Sequence, residues 1–525
     1  MTGPVAAVLL LALPVPALGQ ALADPLVPAG RLRLDFAPSY TTWDARYGLK
    51  EDGTSVLEPL GADLTDPLGV SLFPGIQTLQ ESLASLAGFD AYQPHLGATH
   101  GRISLEVKRI DVGFRVGIFD WLTVGATAPF VKSETALDFA FQPDTLNPDL
   151  GRNPALAGTG SATSFLAGLE SASLAADAYA TSVCGGSGGD CGAAQALASR
   201  TADFWAQMRA AYFASPFFPL STSPVAGGLL TALDLLNADL SAAGLAPVGV
   251  PLAFATDALA PEDLATLSAD PASGIQGSPL EGFEGLWELG DIELTADVRL
   301  FQGEVRDSGA AAPRLSYTLV GGALVRLGTG KVDDPGVFFD VGSGDGQTDV
   351  EAHLHGALRV GRRLGMRLGL RYGIQNARTL VRRVARHEVA LPPVSSSRWV
   401  RWSPGAYVLL DVSPRLHLTD EVSLAFDYRR WHKGEDTYEL FGPEPEGVAP
   451  VDVGDLGLES EMTLQQLGFG LRYSTLTTWR TGEAGHPIEA GMRLLQTVAG
   501  SGGRTPKITR VEFSVSLFRR LWGQR

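Results

Sequence analysis

Residues 364–374 read Leu364-Gly365-Met366-Arg367-Leu368-Gly369-Leu370-Arg371-Tyr372-Gly373-Ile374. The alternation is strict. Leu364, Met366, Leu368, Leu370, Tyr372 and Ile374 share one face, and only Gly and Arg share the other. Period two is the signature of a β-strand. The charged face is the informative one, because an arginine face on strand after strand cannot pack as a dry core.

The same split recurs outward from this segment. Ile110, Val112, Phe114 and Val116 oppose Arg109, Asp111, Gly113 and Arg115. Ile292 to Leu300 opposes its apolar set to Glu293, Asp297 and Arg299, and Val422 to Arg429 sets Leu424 and Phe426 against Asp427 and Arg429. Leu467 to Tyr473 carries Arg472 on its polar face, and Val511 to Leu517 carries Arg510 and Glu512. The pattern predicts twelve strands, at about 30–44, 101–118, 121–142, 287–302, 314–328, 347–361, 364–377, 402–414, 420–431, 461–475, 487–499 and 506–518. Many exceed the five or six residues usual in soluble sheets and match the roughly 9–11 residues a tilted strand needs to cross a bilayer. Connections after odd-numbered strands are mostly long (about 45–100, 143–286, 329–346, 378–401 and 432–460), and those after even-numbered strands are short. Such sorting, with an even strand count, is the plan of an outer-membrane barrel with long external loops and short periplasmic turns. The fold class expected is all-β: a transmembrane antiparallel up-and-down β-barrel of about twelve strands with a helical extracellular insertion.

Composition agrees. The 525 residues carry 41 Lys and Arg against 58 Asp and Glu, a net charge of −17, with 45% hydrophobic and 19% charged residues. An acidic balance argues against nucleic acid, which needs a basic face. No later stretch approaches the roughly 18 apolar residues of a membrane helix. Trp43, Trp121, Trp287, Trp399, Trp402, Trp431, Trp479 and Trp522 fall at or near expected strand ends, as aromatic girdles at the two interfaces would require.

Four segments follow. Residues 1–23 read as a signal peptide, with an apolar run from Val5 to Leu18 and Ala21-Leu22-Ala23 before Asp24, although no basic residue precedes Arg31. Residues 24–143 hold strands 1–3, 144–286 an Ala/Leu-rich helical insertion, and 287–525 strands 4–12. The insertion has 14 acids against Arg152, Arg200 and Arg209, so most of the net charge resides there. Leu229, Leu233, Leu236 and Leu240 form a helical stripe, and Leu197, Phe204, Met208 and Tyr212 a looser one. It could cap the barrel or plug its mouth. Cys184 and Cys191 flank Gly-Gly-Ser-Gly-Gly-Asp, and export would favour a disulfide between them.

If the apolar faces meet lipid, the lumen is lined by Arg109, Asp111, Arg115, Glu293, Asp297, Arg299, Arg326, Glu351, His353, His355, Arg359, Arg367, Arg371, Asp427, Arg429, Arg472, Glu489, Arg493, Arg510 and Glu512. Unpaired in a dry interior, these charges would cost several kcal/mol each. Either the lumen is wet, or its charges pair across a closed interior; twelve strands leave it narrow. His353 and His355 lie two apart on one face and read as a polar lumen pair rather than a metal site with Glu351. Asp333, Asp334, Asp340, Asp345 and Asp349 lack the spacing of a calcium loop. Gly-Thr-Gly-Lys at 328–331 is not a P-loop, and neither G-x-S-x-G nor H-E-x-x-H occurs. No enzyme, metal or cofactor is expected.

Two stretches carry a resemblance: Gly290-Asp291-Ile292-Glu293-Leu294, and Leu324 to Lys331 followed by Gly342-Ser343-Gly344-Asp345-Gly346-Gln347-Thr348-Asp349. With the hairpin from Phe119 to Gly125 and Pro129-Phe130-Val131, about half the chain resembles outer-membrane barrels of the phenol-degradation meta-pathway type, distantly akin to long-chain fatty-acid transporters. Gly328 stands where that family has Pro. The resemblance implies passive uptake of small, often hydrophobic molecules, and the lumenal arginines point instead toward anionic ones. The expected partners are outer-membrane lipid and a small solute. The alternative is a closed structural or surface-interaction barrel whose insertion binds a partner.

Overall fold

A computed structural model describes residues 24–522 except 51, 70–71, 74, 157–159, 187–189, 270–279, 307–312, 388, 444–451 and 481–485. The signal-peptide reading of 1–23 lies outside the described residues. Twelve strands close into one barrel: β1 (Arg31–Trp43), β2 (Gly97–Phe119), β3 (Leu122–Pro143), β4 (Ile292–Val305), β5 (Leu315–Leu327), β6 (Asp349–Val360), β7 (Leu364–Gln375), β8 (Tyr407–His417), β9 (Val422–Lys433), β10 (Met462–Ser474), β11 (Ile488–Ser501) and β12 (Thr509–Arg520). Each pairs antiparallel with its sequence neighbour. β1 pairs with both β2 and β12, and β3 pairs with β4, so no barrel edge is left open.

Parity fixes the two faces. Phe36 lies opposite Val515 on one side and Val112 on the other, and all three point outward. With Leu294, Leu354, Leu370, Phe426 (58% exposed), Phe469, Leu494 and Phe513 they form an apolar belt around the wall. An exposed apolar belt on a closed sheet, with every strand paired, is what a bilayer requires of a β-protein. The chain is therefore an outer-membrane β-barrel.

β2 begins at Gly97, not the expected 101, and β4 at Ile292, not 287; two further strand starts differ beside a proline. β8 begins at Tyr407, not 402, and β12 at Thr509, not 506. Pro404 lacks an amide to donate to the sheet, and Gly405 is pressed against the Gly434 carbonyl, where a Cβ would come within 2.1 Å. The chain bends there, so 397–403 leaves the barrel and pairs with 378–383 and 437–440 above it. Pro506 has the same effect before β12, and 505–506 joins a small external sheet with 45–49.

The girdle assignment needs a correction at three tryptophans. Trp43 (9% exposed), Trp402 (4%) and Trp431 (6%) are buried. Trp43 has the parity of lumenal Thr41, and Trp431 that of Arg429, so both point inward. Trp402 belongs to the external sheet and stacks on Tyr438, ring centroids 6.3 Å apart. Trp121, Trp287, Trp399 and Trp522 are exposed. Trp479 lies beneath the Arg31 guanidinium, 4.1 Å from the ring centroid.

Above the outer mouth five helices assemble. α1 (Gly75–Ala87) comes from the first external loop, which the sequence reading had given only as a long connection. α2 (Ser161–Gly185), α3 (Cys191–Ala214), α4 (Pro224–Ala242) and α5 (Asp263–Ala269) come from the insertion. The two stripes face inward: Leu229, Leu233, Leu236 and Leu240 from α4, and Leu197, Phe204, Met208 and Tyr212 from α3, are buried. Asp190 caps α3 by accepting from the Ala193 amide at 3.1 Å. At its other end fully buried Asn153 donates to the Tyr212 and Ser215 carbonyls (2.8 and 2.7 Å), which a helix terminus leaves unpaired. Gly75 lets α1 start against the end of α3, where a Cβ would come within 1.7 Å of the Ala214 carbonyl oxygen. A disulfide joins Cys184 to Cys191 across the α2–α3 turn.

Candidate functional site

The candidate site is the lumen. Inward parity on each strand delivers a charged or polar side chain every 6–7 Å along the wall. Asp111, Arg115, Glu293, Asp297, Arg326, Glu351, His353, Arg371, Asp427, Arg429, Glu489, Arg493, Arg510 and Glu512 are buried inside. Arg109, His355, Arg359, Arg367 and Arg472 are half-buried on the same face. Arg299 differs: it lies beside a bulge between 299 and 301 and reaches Gln302 at 2.7 Å near the inner rim.

These groups are brought together as ion pairs. Arg115 on β2 reaches Asp297 on β4 at 2.7 Å. The other oxygen of Asp297 lies 2.8 Å from His353 Nε2 on β6, and His353 Nδ1 lies 3.6 Å from Glu351. Glu351 also lies 3.6 Å from Arg371 Nε on β7 and accepts from the Tyr407 hydroxyl on β8 at 2.7 Å. The linkage spans seven successive strands' worth of wall, from β2 to β8. Nearer the outer end Arg326 bridges Glu293 (3.3 Å) and Asp349 (2.9 Å). On the remaining arc Arg429 pairs with Asp411 (2.6 Å) and Arg493 with Glu512 (2.6 Å), while Arg510 Nε donates to Thr41 at 2.9 Å. Arg33 and Arg115 face one another on adjacent strands, a repulsive placement offset by Asp35 and Asp297.

Sequence reading had missed Arg33, Asp35, Asp349, Tyr407, Asp411 and Arg415 as lumen residues. The signal was available as parity: Asp349 precedes Glu351 by two, and Asp411 and Arg415 share the alternation of β8. The two histidine rings lie tilted by 54° with centroids 5.0 Å apart, and both ring nitrogens of His353 face carboxylates.

Pairing leaves cavities rather than a bore. An outer cavity of about 80 Å³ lies among Thr41, Trp43, Arg109, Glu293, Arg326 and Arg510. A second of about 80 Å³ lies deeper, against His355, Arg367, Arg371, Asp411, Arg429 and Arg493. It adjoins a third, of about 250 Å³, at the inner end. The outer cavity shares no lining residue with the inner two, and Glu351, His353 and Tyr407 line none of them. The outer end is closed by apolar packing: Trp43, Tyr407, Leu409, Trp431, Met462 and Leu464 from the wall belong to one core with Phe73, Leu79, Leu229 and Phe339 from the cap and loops. At the inner end residues 24–29 enter the lumen. Arg33 and Arg115 donate to the Asp24 and Pro25 carbonyls, and the Val27 amide donates to Thr123 Oγ1 at 2.9 Å.

No family model and no curated protein matches this chain. Among solved structures it is similar to an outer membrane channel from Pseudomonas putida F1, at 9% identity and a TM-score of 0.41 over 95% of this chain and all of that one. A monoaromatic hydrocarbon channel overlaps at 10% identity and a TM-score of 0.27, covering 94% of this chain and 91% of its own. A Pseudomonas aeruginosa FadL homologue overlaps at 8% and 0.24, covering 94% and 90%. Overlap at this level carries no inference about function, which rests on the lumen itself.

Proposed function

We propose that this outer-membrane barrel is a gated passive channel for small polar or anionic solutes. One observation carries the reading: polar cavities lie on both sides of a layer made of side chains, Glu351, His353, Arg371 and Tyr407, and not of backbone. Side chains change rotamer without breaking a strand ladder, so such a layer can open while the barrel stays intact. Buried charge is also a poor way to fill a barrel meant only to be stable, since apolar residues of like volume do as well or better. The walls of both cavities are charged, so a hydrocarbon is not the solute we propose. The cap and outer apolar plug would form a second barrier in series.

The competing reading, a closed barrel that displays its helical cap to a partner, is favoured by how completely Arg115, Asp297, His353, Glu351 and Arg371 are linked. Single-channel conductance of the full-length protein in a planar bilayer separates the two. Discrete steps are expected, and larger ones from a Glu351→Ala/Arg371→Ala double variant, which removes both charges and strands neither. Silence from both proteins, shown to be folded by heat-modifiable gel mobility, sinks the channel and leaves the closed barrel.

A further inference from the structure

We infer that the inner vestibule of the lumen holds a binding site for a small oxyanion, of the carboxylate or phosphate class. The inference depends on the barrel and its parity, not on conduction. The cavity of about 250 Å³ is walled by Arg359, Arg367, Arg415, Arg472 and His417, converging from β6, β7, β8 and β10. Register explains the convergence. Arg359 lies opposite Gly365, and Gly365 lies opposite Arg415, so one row reads Arg-Gly-Arg across three strands. Gly365 is what leaves the room: a Cβ there would already lie 3.2 Å from His417 Nε2.

Arg415 is the residue that points to a ligand. It is 6% exposed, it lines this cavity, and its Nε and Nη2 have no hydrogen-bond partner. No ion pair reaches it among the described residues, although Asp427 lies on the neighbouring strand. Arg359 donates Nη2 to the Arg362 carbonyl at 3.1 Å, and its Nε is likewise without a partner. Of the acids of the cavity, Glu489 is paired within it, and the others are held by local partners or lie toward its rim. Glu489 pairs with Arg472 and accepts from Ser474 (3.1 Å), Glu421 accepts from Thr478 (3.1 Å), the Asp24 carboxylate accepts from the Leu26 amide (3.3 Å), and Asp420 is exposed in the β8–β9 turn. A buried guanidinium with unmade hydrogen bonds is costly, and a planar two-oxygen or three-oxygen anion matches the guanidinium fork in both charge and geometry. The cavity lies inside the barrel wall, which selects a soluble anion over a lipid headgroup.

The test is calorimetric titration of inorganic phosphate into the purified full-length protein in a zwitterion-free, lipid-free detergent, with chloride at equal ionic strength as the control. Saturable binding of phosphate and none of chloride is expected. Arg415→Gln should raise the dissociation constant roughly tenfold or more, as expected for the loss of a charge-assisted bond. Gly365→Leu, which keeps every arginine and fills the space, should abolish binding. Lys331→Gln, on an external loop, should leave it unchanged. Absence of saturable binding to folded wild-type protein overturns the site, as does an Arg415→Gln affinity within twofold of wild type. Should both lumen variants fail to fold, a wild-type Tm that rises with phosphate but not with chloride supports the site, and an unmoved Tm overturns it. Binding without conductance would keep this site and reject the channel.

Discussion

At the residue scale the lumen is a set of charges whose positions follow from parity and whose partners do not. Glu351 illustrates this. Its place on the inner face is readable from Asp349-Val350-Glu351-Ala352-His353, but Arg371 lies 20 positions on and Tyr407 lies 56. Outside the membrane, Asp345 shows a different burial. It is held in the 328–348 loop, where its Oδ1 accepts from the Gln347 amide at 2.9 Å and its backbone carbonyl accepts from Arg378 at 3.0 Å. Burial, followed by the nearby charges of Asp349 and Asp291, pushes its carboxyl up to about 7. An unfolded Asp titrates near ~3.9. Between those values the folded state keeps a proton that the unfolded chain has lost. The stabilising contribution is therefore complete below about pH 4 and is lost as pH rises through about 7. Tm should fall between pH 5 and pH 8, and Asp345→Asn should remove much of that fall. An identical slope in the variant would show that Asp345 is not its source.

At the element scale the cap and the barrel are stabilised differently. The cap depends on leucine stripes, the barrel wall on strand pairing and lipid contact. Leu229 is fully buried on α4 in the core shared with α1 and the outer mouth. Leu229→Ala should cost about 2–5 kcal/mol, the range for a buried Leu truncation. The loss should appear in hydrogen exchange as reduced protection across 161–242, with β7 to β12 unchanged. Uniform loss across barrel and cap would mean that the two unfold as one unit. The helical character of the insertion is legible in Leu229, Leu233, Leu236 and Leu240, because a period near 3.6 needs no partner to be seen. α1 was passed over, although its buried positions, Ile76, Leu79 and Leu83, also recur at helical spacing, because three apolar positions in one long connection are a weaker signal than the four-leucine stripe of α4.

On the scale of the whole molecule, the closed sheet sorts aromatics between lipid, lumen and external sheet. Brominated lipid quenches tryptophan only where the indole reaches the acyl region. Trp121→Phe and Trp522→Phe should each lower the quenched fraction of the emission, and Trp431→Phe should leave the quenched component intact. Loss of quenched signal from Trp431→Phe would place that indole on the outside and break the parity of β9.

The sequence by itself determined the barrel. Strand count, long and short connections, and the lipid-facing and lumen-facing sets are all local properties, written in period two and in the spacing of turns. It also set the charges from Arg109 to Glu512 on the polar faces of their strands, because parity along a strand is independent of its neighbours, though Arg33, Asp35, Asp349, Asp411 and Arg415 carried the same parity and were passed over. Only the tertiary structure decided which of those charges meet. A pairing such as Arg115 with Asp297 depends on the register of strands separated by the whole insertion, and register is set by cross-strand packing that no single segment contains. Trp402 is tertiary in the same way, because its burial comes from pairing in the external sheet, whereas the inward side of Trp43 and Trp431 is local parity that nearness to a strand end overlooked.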